Sequence, residues 1–355
     1  DRLQPVMQQR VLDAIRLGLE EIRRLDVHVA YSNITMLDIV NSCLGGELLQ
    51  DSAIAQRGYD KLVHWITFTD ESGIPREYNS PTYTPVIIRA LKRLTDLTTH
   101  EETRINARTF AIRLGLSTLL HIHRATGRWA GPHSRAYQPS VVCERPPEIE
   151  MVKGWLQDDH LPEWMSDLLT YPAEPFEVTE TASIREGLGL TTYQDTNFAL
   201  GTASKEYGRQ SDVLMVHYSR DGAERPGVLY SRYVMDDKWL GDFYHATDRT
   251  TSRNLIEEGR FFGVQSGASA LGLYAPQDMS HCHSAKATFI FTQHEHIDEI
   301  WLNDIQIDQL PIQVSAKDIV IIGSGSVFIA IQPLKYHDAG RSSPIQLIEK
   351  QGDLV

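Results

Sequence analysis

Two short segments of the sequence are rich in side chains that can move protons and hold carboxylates. The first is Glu77-Tyr78-Asn79-Ser80-Pro81-Thr82-Tyr83, and the second is Gly127-Arg128-Trp129-Ala130-Gly131-Pro132-His133-Ser134-Arg135-Ala136-Tyr137. Together they offer an amide, an imidazole, a guanidinium and several phenols. Proline and glycine in and around them favour loops over helix interiors. Loops carry a large share of catalytic residues, so these two segments are the first candidates for a site.

This set of side chains suits β-elimination next to a uronate carboxylate. The C5 proton of a uronic acid is weakly acidic, and an amide beside the carboxylate stabilises the charge that develops when the proton leaves. An imidazole or a phenol can remove that proton, and a phenol can return one to the departing glycosidic oxygen. A guanidinium can hold the carboxylate through paired hydrogen bonds. The reaction needs neither a metal nor a nucleophile.

The elements that must position these segments are helices. Apolar residues at three- and four-residue spacing predict helices over 3–24, 32–44, 52–70 and 84–97, and a fifth from Thr98 to about His123. Gly45-Gly46 is a typical stop signal, so the second helix is expected to end at Leu44. A further helical piece is expected over 148–170. Short and long connections alternate, which suggests helical hairpins arranged around an axis with the long loops along one rim.

The apolar period changes to two after Tyr171-Pro172. Strands are predicted over 213–218, 227–234, 287–291, 297–302, 319–322 and 327–333, with Gly, Asp, Asn and Ser between them. Short strands without intervening helices favour an antiparallel sandwich. A chain of 355 residues also exceeds the usual size of a single core. We therefore predict a helical domain over 1–174 and an antiparallel β-sandwich domain over 175–355.

The composition argues against several classes of partner. The formal net charge is −13 at pH 7, whereas a general nucleic-acid binder needs clustered Lys and Arg for phosphate contacts. No apolar run approaches the roughly 20 residues of a membrane span. The three cysteines are too few and too scattered for a disulfide framework. A carbohydrate or small-molecule ligand is the expected partner, and secreted, periplasmic and cytoplasmic locations all remain open.

The two loop segments, together with Phe198-Ala199-Leu200-Gly201-Thr202-Ala203-Ser204, resemble those of heparinase II/III-like and alginate-lyase-like polysaccharide lyases. Those lyases join a complete or incomplete (α/α) toroid to an antiparallel β-sandwich. The resemblance therefore implies an α+β fold with an incomplete toroid, and cleavage of a uronate-containing glycan by β-elimination. It covers most of the chain in architecture and three short segments in motif.

The resemblance also implies roles for individual residues. Asn79 would neutralise the substrate carboxylate, and His133 and Tyr137 would act as base and acid, with Arg135 supporting both. The candidates for substrate binding are Arg76, Tyr83, Trp129 and Tyr193. Many of these lyases have a histidine directly after the asparagine, whereas this chain has Ser80. About three helical hairpins are predicted, fewer than in a closed toroid. This number indicates either that the N-terminus has been lost or that the protein is a shorter relative with a cleft for a smaller ligand.

Other interpretations of the same sequence predict different chemistry. An isomerase, cyclase or eliminase acting on a small molecule on this scaffold is favoured by the short toroid and the acidic composition. An (α/α) glycoside hydrolase needs two carboxylates at a set separation, and Glu77, Glu101 and Asp158 form no evident pair. A non-catalytic carbohydrate-binding relative is favoured by the missing histidine after Asn79, which can also be an ordinary turn residue.

Histidines in the β half raise the possibility of a structural zinc. His281 and His283 are two residues apart, as are His294 and His296, and residues at i and i+2 on a strand share a face. Two such strands would present four imidazoles, a number that suits tetrahedral zinc. Some heparinase-like lyases hold a zinc in the β part. Solvated or cleft-facing histidines are the favoured interpretation, so no cofactor is expected.

Overall fold

The computed structural model describes residues 3–137, 148–170, 175–208, 211–220, 222, 225–236, 259–276, 280, 282–334, 344–350 and 352–355. The chain divides into two compact units. The helical unit comprises 1–120, 150–172 and 180–189, and the β unit comprises 121–149, 173–179 and 190–355. The prediction of N-terminal helices and a C-terminal antiparallel sheet is confirmed at this level. Residues 121–149, which follow the fifth helix, group with the β unit.

The helical unit begins with five helices. They are α1 (Pro5–Leu25), α2 (Ser32–Leu49), α3 (Ser52–Ser72), α4 (Thr84–Leu97) and α5 (Glu101–Leu120). Further along the chain come α6 (Glu148–Gln157), a 3-10 helix (Glu163–Ser166) and α7 (Asp167–Thr170). The predicted single piece over 148–170 is therefore three short helices. Pro162, which precedes the 3-10 helix in extended conformation, marks one of the breaks.

The prediction that α2 ends at Leu44 is wrong, because the helix continues through both glycines to Leu49. A Cβ on Gly45 would meet the side chain of Leu19 in α1, and a Cβ on Gly46 would meet the backbone of Ala55 in α3. The glycines therefore allow close helix packing, and this tertiary gain outweighs their low helix propensity.

A buried charge network ties α2 to α3. Asp38 accepts hydrogen bonds from Arg57 Nη1 at 2.6 Å and from Lys61 Nζ at 2.8 Å, and its side chain is 4% exposed. Asp26 also pairs with both cations. Burial alone would raise the pKa of Asp38, but the hydrogen bonds from Arg57 and Lys61 hold it below its usual value. The network is therefore ionised and balanced at neutral pH.

The strands of the fold begin with a short hairpin, β1 (Ile122–His123) and β2 (Arg128–Trp129). The larger strands are β3 (Phe176–Ser183), β4 (Leu188–Gln194), β5 (Phe198–Ala203), β6 (Leu214–Tyr218), β7 (Gly227–Met235), β8 (Gly259–Ser266), β9 (Ser269–Pro276) and β10 (Ala285–Phe291). The remainder are β11 (Glu299–Leu302), β12 (Ile305–Gln306), β13 (Ile312–Val314), β14 (Val320–Ser324), β15 (Val327–Ile331), β16 (Ile345–Leu347), β17 (Glu349–Lys350) and β18 (Asp353–Leu354).

One eight-stranded sheet has the order β17-β18-β10-β7-β6-β5-β4-β3, and a four-stranded sheet has the order β12-β11-β14-β15. β8 and β9 form a separate hairpin, and β13 pairs with β16. Every register that the structure gives is antiparallel. The six strands predicted from alternation all fall on strands of the structure, with ends shifted by a few residues.

Alternation gives β6 two different faces. Val216 and Tyr218 join an apolar cluster with Ile300 and Ile322 of the four-stranded sheet. Met215 points to the opposite face, in a second cluster with Tyr230 of β7, and His217 shares that face by its spacing. The second face is the one that carries polar groups. None of the described helices combines the length and the hydropathy that a bilayer crossing requires.

Candidate functional site

The β1–β2 hairpin places an imidazole and a guanidinium opposite one another. His123 and Arg128 are directly paired across the hairpin, and both are fully buried. Glu148 Oε1 lies 3.7 Å from Arg128 Nη2 and forms a salt bridge with it. Burial raises the pKa of Glu148, and the cationic Arg128 opposes that shift. The hairpin thus brings positive charge into the interior of the β unit.

The segment after this hairpin is held by backbone contacts. His133 N–H donates to Asp212 O at 3.0 Å, and Asp212 N–H donates to His133 O at 2.9 Å. Gly131 O accepts from Thr192 Oγ1 at 2.8 Å. A Cβ on Gly201 of β5 would overlap the backbone of Gly131, so glycine at position 201 is required for this approach. The backbone position of His133 is therefore fixed by β5 and by the residues that precede β6.

A buried ion pair supports the same position. Asp212 and Arg232 have no exposed side-chain surface and form a salt bridge. Arg232 Nη1 also donates to Ser231 O at 2.9 Å, and its guanidinium lies 5.0 Å from the centre of the Tyr230 ring. Burial raises the pKa of Asp212, and Arg232 opposes that shift. Since Asp212 pairs with His133 through its backbone, the ion pair holds the histidine indirectly.

His217 lies near the middle of β6, between Ala199 of β5 and Val228 of β7. Its ring centroid is 6.5 Å from that of His133, and it has no exposed surface. Neither ring nitrogen has a hydrogen-bond partner among the residues that the structure describes. Burial lowers the pKa of His217 well below 6.5, and the nearby positive groups, led by Arg128, lower it further. His217 is therefore a neutral imidazole with one basic nitrogen and one N–H.

His123 differs from His217 because both of its ring nitrogens are engaged. Nε2 lies 2.9 Å from Asp195 O, and since a carbonyl oxygen only accepts, Nε2 carries a proton. Nδ1 therefore accepts from Thr126 Oγ1, at 2.8 Å. Burial lowers the pKa of His123. His123 is therefore neutral and held in a fixed orientation. We refer to His123, Arg128, His133 and His217 as the histidine cluster.

Two of the predicted catalytic residues are neighbours in space as well as in sequence. Arg135 Nη2 donates to the hydroxyl oxygen of Tyr137 at 2.8 Å. Both side chains are half-buried, whereas His133 is fully buried. The structure therefore places a guanidinium–phenol pair on the same short segment as one member of the histidine cluster.

Asn79 lies in the helical unit, in the loop between α3 and α4. The loop is anchored by Glu77, whose buried carboxylate accepts from Asn33 N–H at 2.8 Å and from Asn33 Nδ2 at 2.6 Å. Asn33 is in the first turn of α2, where the helix dipole favours a carboxylate. Asn79 is 7% exposed and has a φ of 41°, a conformation that asparagine tolerates well. Its role towards a carboxylate stays a prediction.

The predicted substrate-binding residues have different surroundings. Arg76 Nη2 pairs with Glu186 Oε1 at 2.6 Å, and both side chains are partly exposed. Tyr83 precedes α4, and its N–H donates to Ser80 Oγ at 3.1 Å. Tyr193 donates its hydroxyl to Asp195 Oδ2 at 3.3 Å. Trp129 is 1% exposed, so it offers no surface to a ligand in this conformation.

The histidines proposed for zinc do not share strand faces in the described part of the chain. His294 and His296 lie in a 3-10 helix. Their rings contact Glu349 at 3.3 Å and Glu295 at 3.7 Å, respectively. His283 is exposed and precedes β10. His281 lies outside the described residues. Among the described residues, no group of three or more His, Cys, Asp and Glu side chains is arranged to hold a metal ion.

The sequence interpretation missed His217 and the Asp212–Arg232 pair, and it gave Arg128, which lies in the second candidate loop segment, no role of its own. A signal was present, because His217 lies in the mostly apolar run Leu214-Met215-Val216-His217-Tyr218 and Arg232 is the one charged residue of β7. A charged or titratable side chain inside a buried strand carries a large desolvation cost. Such a residue calls for a partner or a function.

No protein-family model, no curated protein and no solved structure matches this chain. The functional inference therefore depends on the side chains of the site and their chemistry.

Proposed function

We propose that the protein is a lyase that cleaves a uronate-containing glycan by β-elimination. The observation that supports this most directly is the neutral, buried imidazole of His217, 6.5 Å from His133 between ring centroids. A general base must be unprotonated at the working pH and have an available lone pair. His217 is unprotonated, and neither ring nitrogen is hydrogen-bonded to a described residue. Because its side chain is fully buried, the proposal requires the β unit to open for the substrate to reach it.

In the proposed reaction, His133 or His217 takes the C5 proton of the uronate. The electron pair of the C5–H bond forms a double bond between C4 and C5, and the bond from C4 to the glycosidic oxygen breaks. The phenol of Tyr137 gives its proton to that oxygen, and Arg135 holds the phenol in place. Asn79 is the proposed amide donor to the carboxylate, where negative charge accumulates.

The same proposal includes the finer architecture. We infer that α2 to α5 form hairpins of an incomplete (α/α) toroid. In support, α2–α3 and α4–α5 have connections of two or three residues, whereas α3 and α4 are joined by a longer loop. We also infer that the eight- and four-stranded sheets are the layers of a β-sandwich. The apolar cluster that contains residues of both sheets supports this inference.

The total burial of His133 and His217 favours a second candidate, an acid–base enzyme acting on a small molecule. An enclosed pair of imidazoles suits a ligand that the protein surrounds more readily than a polymer. Isomerisation or elimination would use the same base and the same phenol. A non-catalytic carbohydrate-binding relative would need neither a base nor an acid at these positions.

The experiment that tests the proposal follows the ultraviolet absorbance of unsaturated uronate. The full chain is offered alginate, polygalacturonate, heparin and chondroitin sulfate, together with their oligosaccharides. We expect the absorbance to rise with at least one substrate. The rate of this rise should be at least about 100-fold lower in His217→Leu, which removes the base, and in Tyr137→Phe, which removes the acid. His296→Leu, at an exposed histidine, is the matched control and should retain full activity.

The lyase proposal is wrong if no substrate gives a rise, or if folded His217→Leu and Tyr137→Phe variants both keep the parent rate. If Asn79→Ala keeps the parent rate while His217→Leu and Tyr137→Phe lose it, the amide has another role and the proposed base and acid stand. Binding of the oligosaccharides without any absorbance change would favour the non-catalytic relative.

A further inference from the structure

The C-terminal part of the β unit contains a cavity that none of the proposed chemistry uses. Its volume is about 500 Å³, within the range of roughly 300–1,000 Å³ typical of small-molecule sites. It is lined by the 307–311 segment, by Ile300 of β11, by Ile348 and Glu349, and by His294. No member of the histidine cluster lines it. A ligand here would therefore be separate from the proposed elimination.

The walls of the cavity are fixed by backbone hydrogen bonds. Ile307 N–H donates to Ile300 O at 2.8 Å, which ties the 307–311 segment to β11. Ile348 exchanges two hydrogen bonds with Val355, at 2.8 and 2.9 Å. His294 N–H donates to Gly352 O at 2.8 Å. The cavity is therefore preformed, so a ligand would not have to order these segments on binding.

The floor of the cavity is apolar. Ile300 is buried and belongs to the apolar cluster of the two sheets, and Ile307 and Leu310 pack against that cluster. Pro311 and Ile348 extend the apolar lining. A compact hydrocarbon group bound here would remove its own surface and part of this lining from water. The removal of this apolar surface from water favours binding.

The polar groups of the lining include two carboxylates. Asp308 and Glu349 contribute carboxylates, Gln309 an amide and His294 an imidazole, and no lysine or arginine is among the described lining residues. His294 Nδ1 lies 3.3 Å from Glu349 Oε2. The local charge therefore favours a cation over a neutral or anionic ligand. A divalent metal is disfavoured, since the described residues offer no group of three ligating side chains.

We propose that this cavity binds a small organic ammonium ion whose apolar body rests on Ile300, Ile307 and Leu310. The ammonium group lies at the rim, between the carboxylates of Asp308 and Glu349. Both features are needed, because the apolar floor alone would accept a neutral ligand and the acidic rim alone would attract any cation.

The test is calorimetric titration of the full chain with benzylammonium, with benzyl alcohol as the neutral probe of similar shape and benzoate as the anion. Benzylammonium should bind at least about fivefold more tightly than benzyl alcohol, and benzoate should show no binding, as expected for a charge contact between solvent-exposed groups. Glu349→Gln and Asp308→Asn should each weaken benzylammonium by about two- to fivefold and leave benzyl alcohol unchanged. Both side chains are exposed, so these variants should fold.

Glu295→Gln is the matched control, because Glu295 is an exposed carboxylate in the same region that does not line the cavity. It should leave benzylammonium binding unchanged. Equal weakening by Glu295→Gln and Glu349→Gln would overturn the proposal and assign the attraction to the overall negative charge. Absence of benzylammonium binding, or equal affinity for benzylammonium and benzyl alcohol, would also overturn it.

Discussion

Replacement of His217 by leucine should make the β unit more stable, and more so at low pH. His217 is fully buried with no hydrogen-bond partner among the described residues, and an unsatisfied buried polar group costs about 1–3 kcal/mol. Leucine removes that cost and introduces a shape change worth less than about 1.5 kcal/mol. The direct change near neutral pH is therefore between about −0.5 and +3 kcal/mol, a net gain over most of that range.

The pH dependence gives the sharper number. The pKa of His217 is depressed in the folded protein, so its unfolded state binds a proton more readily. The parent protein keeps its full stability above the pKa of histidine in the unfolded chain, about 6.5. Below that pH the unfolding free energy decreases by about 1.4 kcal/mol per pH unit. Between about pH 7.5 and about pH 5, the advantage of His217→Leu over the parent should grow, by at most about 2 kcal/mol. His123, whose pKa is also lowered, is common to both chains and cancels.

The assay is urea unfolding at each pH, followed by hydrogen-exchange mass spectrometry of peptides from β6 and β7. Reporting on these strands separates the β unit from the helical unit. His296→Leu is the control for a surface histidine and should not reproduce the growing difference. A His217→Leu variant that is less stable than the parent by more than about 1 kcal/mol at both pH values would refute the reasoning, because it would mean that the imidazole makes stabilising hydrogen bonds.

Two further substitutions test the packing of each unit. In the helical unit, Asp38→Asn should lower the unfolding free energy by about 2–4 kcal/mol, because Arg57 and Lys61 lose their buried partner. The pKa of Asp38 is lowered, so the parent should lose this stability only as pH falls below about 4. Equal stabilities of the parent and Asp38→Asn in urea titrations at neutral pH would contradict the prediction. In the β unit, Gly201→Ala should cost at least about 2 kcal/mol in thermal or urea unfolding, because its Cβ would overlap Gly131. Gly189→Ala, whose Cβ would meet nothing closer than Glu180 O at 3.9 Å, should change stability far less, and equal losses would disprove the packing argument.

Local pattern was sufficient to predict most of the regular elements. The predicted fourth helix, 84–97, coincides with α4, since an apolar stripe and a proline in the first turn both specify it. The strands β6 and β7 were predicted to within a residue at each end. Runs of β-branched and aromatic residues bounded by turn residues are sufficient for that.

Prediction failed where tertiary packing overrides local preference. Gly45 and Gly46 were interpreted as a helix stop, yet they lie inside α2 where α1 and α3 approach it. The β8–β9 hairpin was not predicted, because Gly263 and Gly272 interrupt its apolar pattern. Both glycines lie against the ring of Phe261, a contact between the strands that no single strand reveals.

The candidate site was predicted in part for the same reason. Arg135 and Tyr137 are two residues apart, so their contact follows from a short segment. His133 and His217 meet only because Asp212 pairs with the first and β6 carries the second. Sequence spacing could identify each histidine but not their proximity. The burial that depresses the pKa of His217 is likewise a property of the folded sheet.

The most direct test of the elimination mechanism is the mass of the products formed in heavy-oxygen water from defined uronate oligosaccharides. Elimination cleaves the glycosidic bond without adding water, so the product masses should sum to that of the substrate and contain no heavy oxygen. Products that gain one heavy oxygen per cleavage would show hydrolysis and contradict the proposed mechanism. Intact oligosaccharides across the whole panel would contradict it equally.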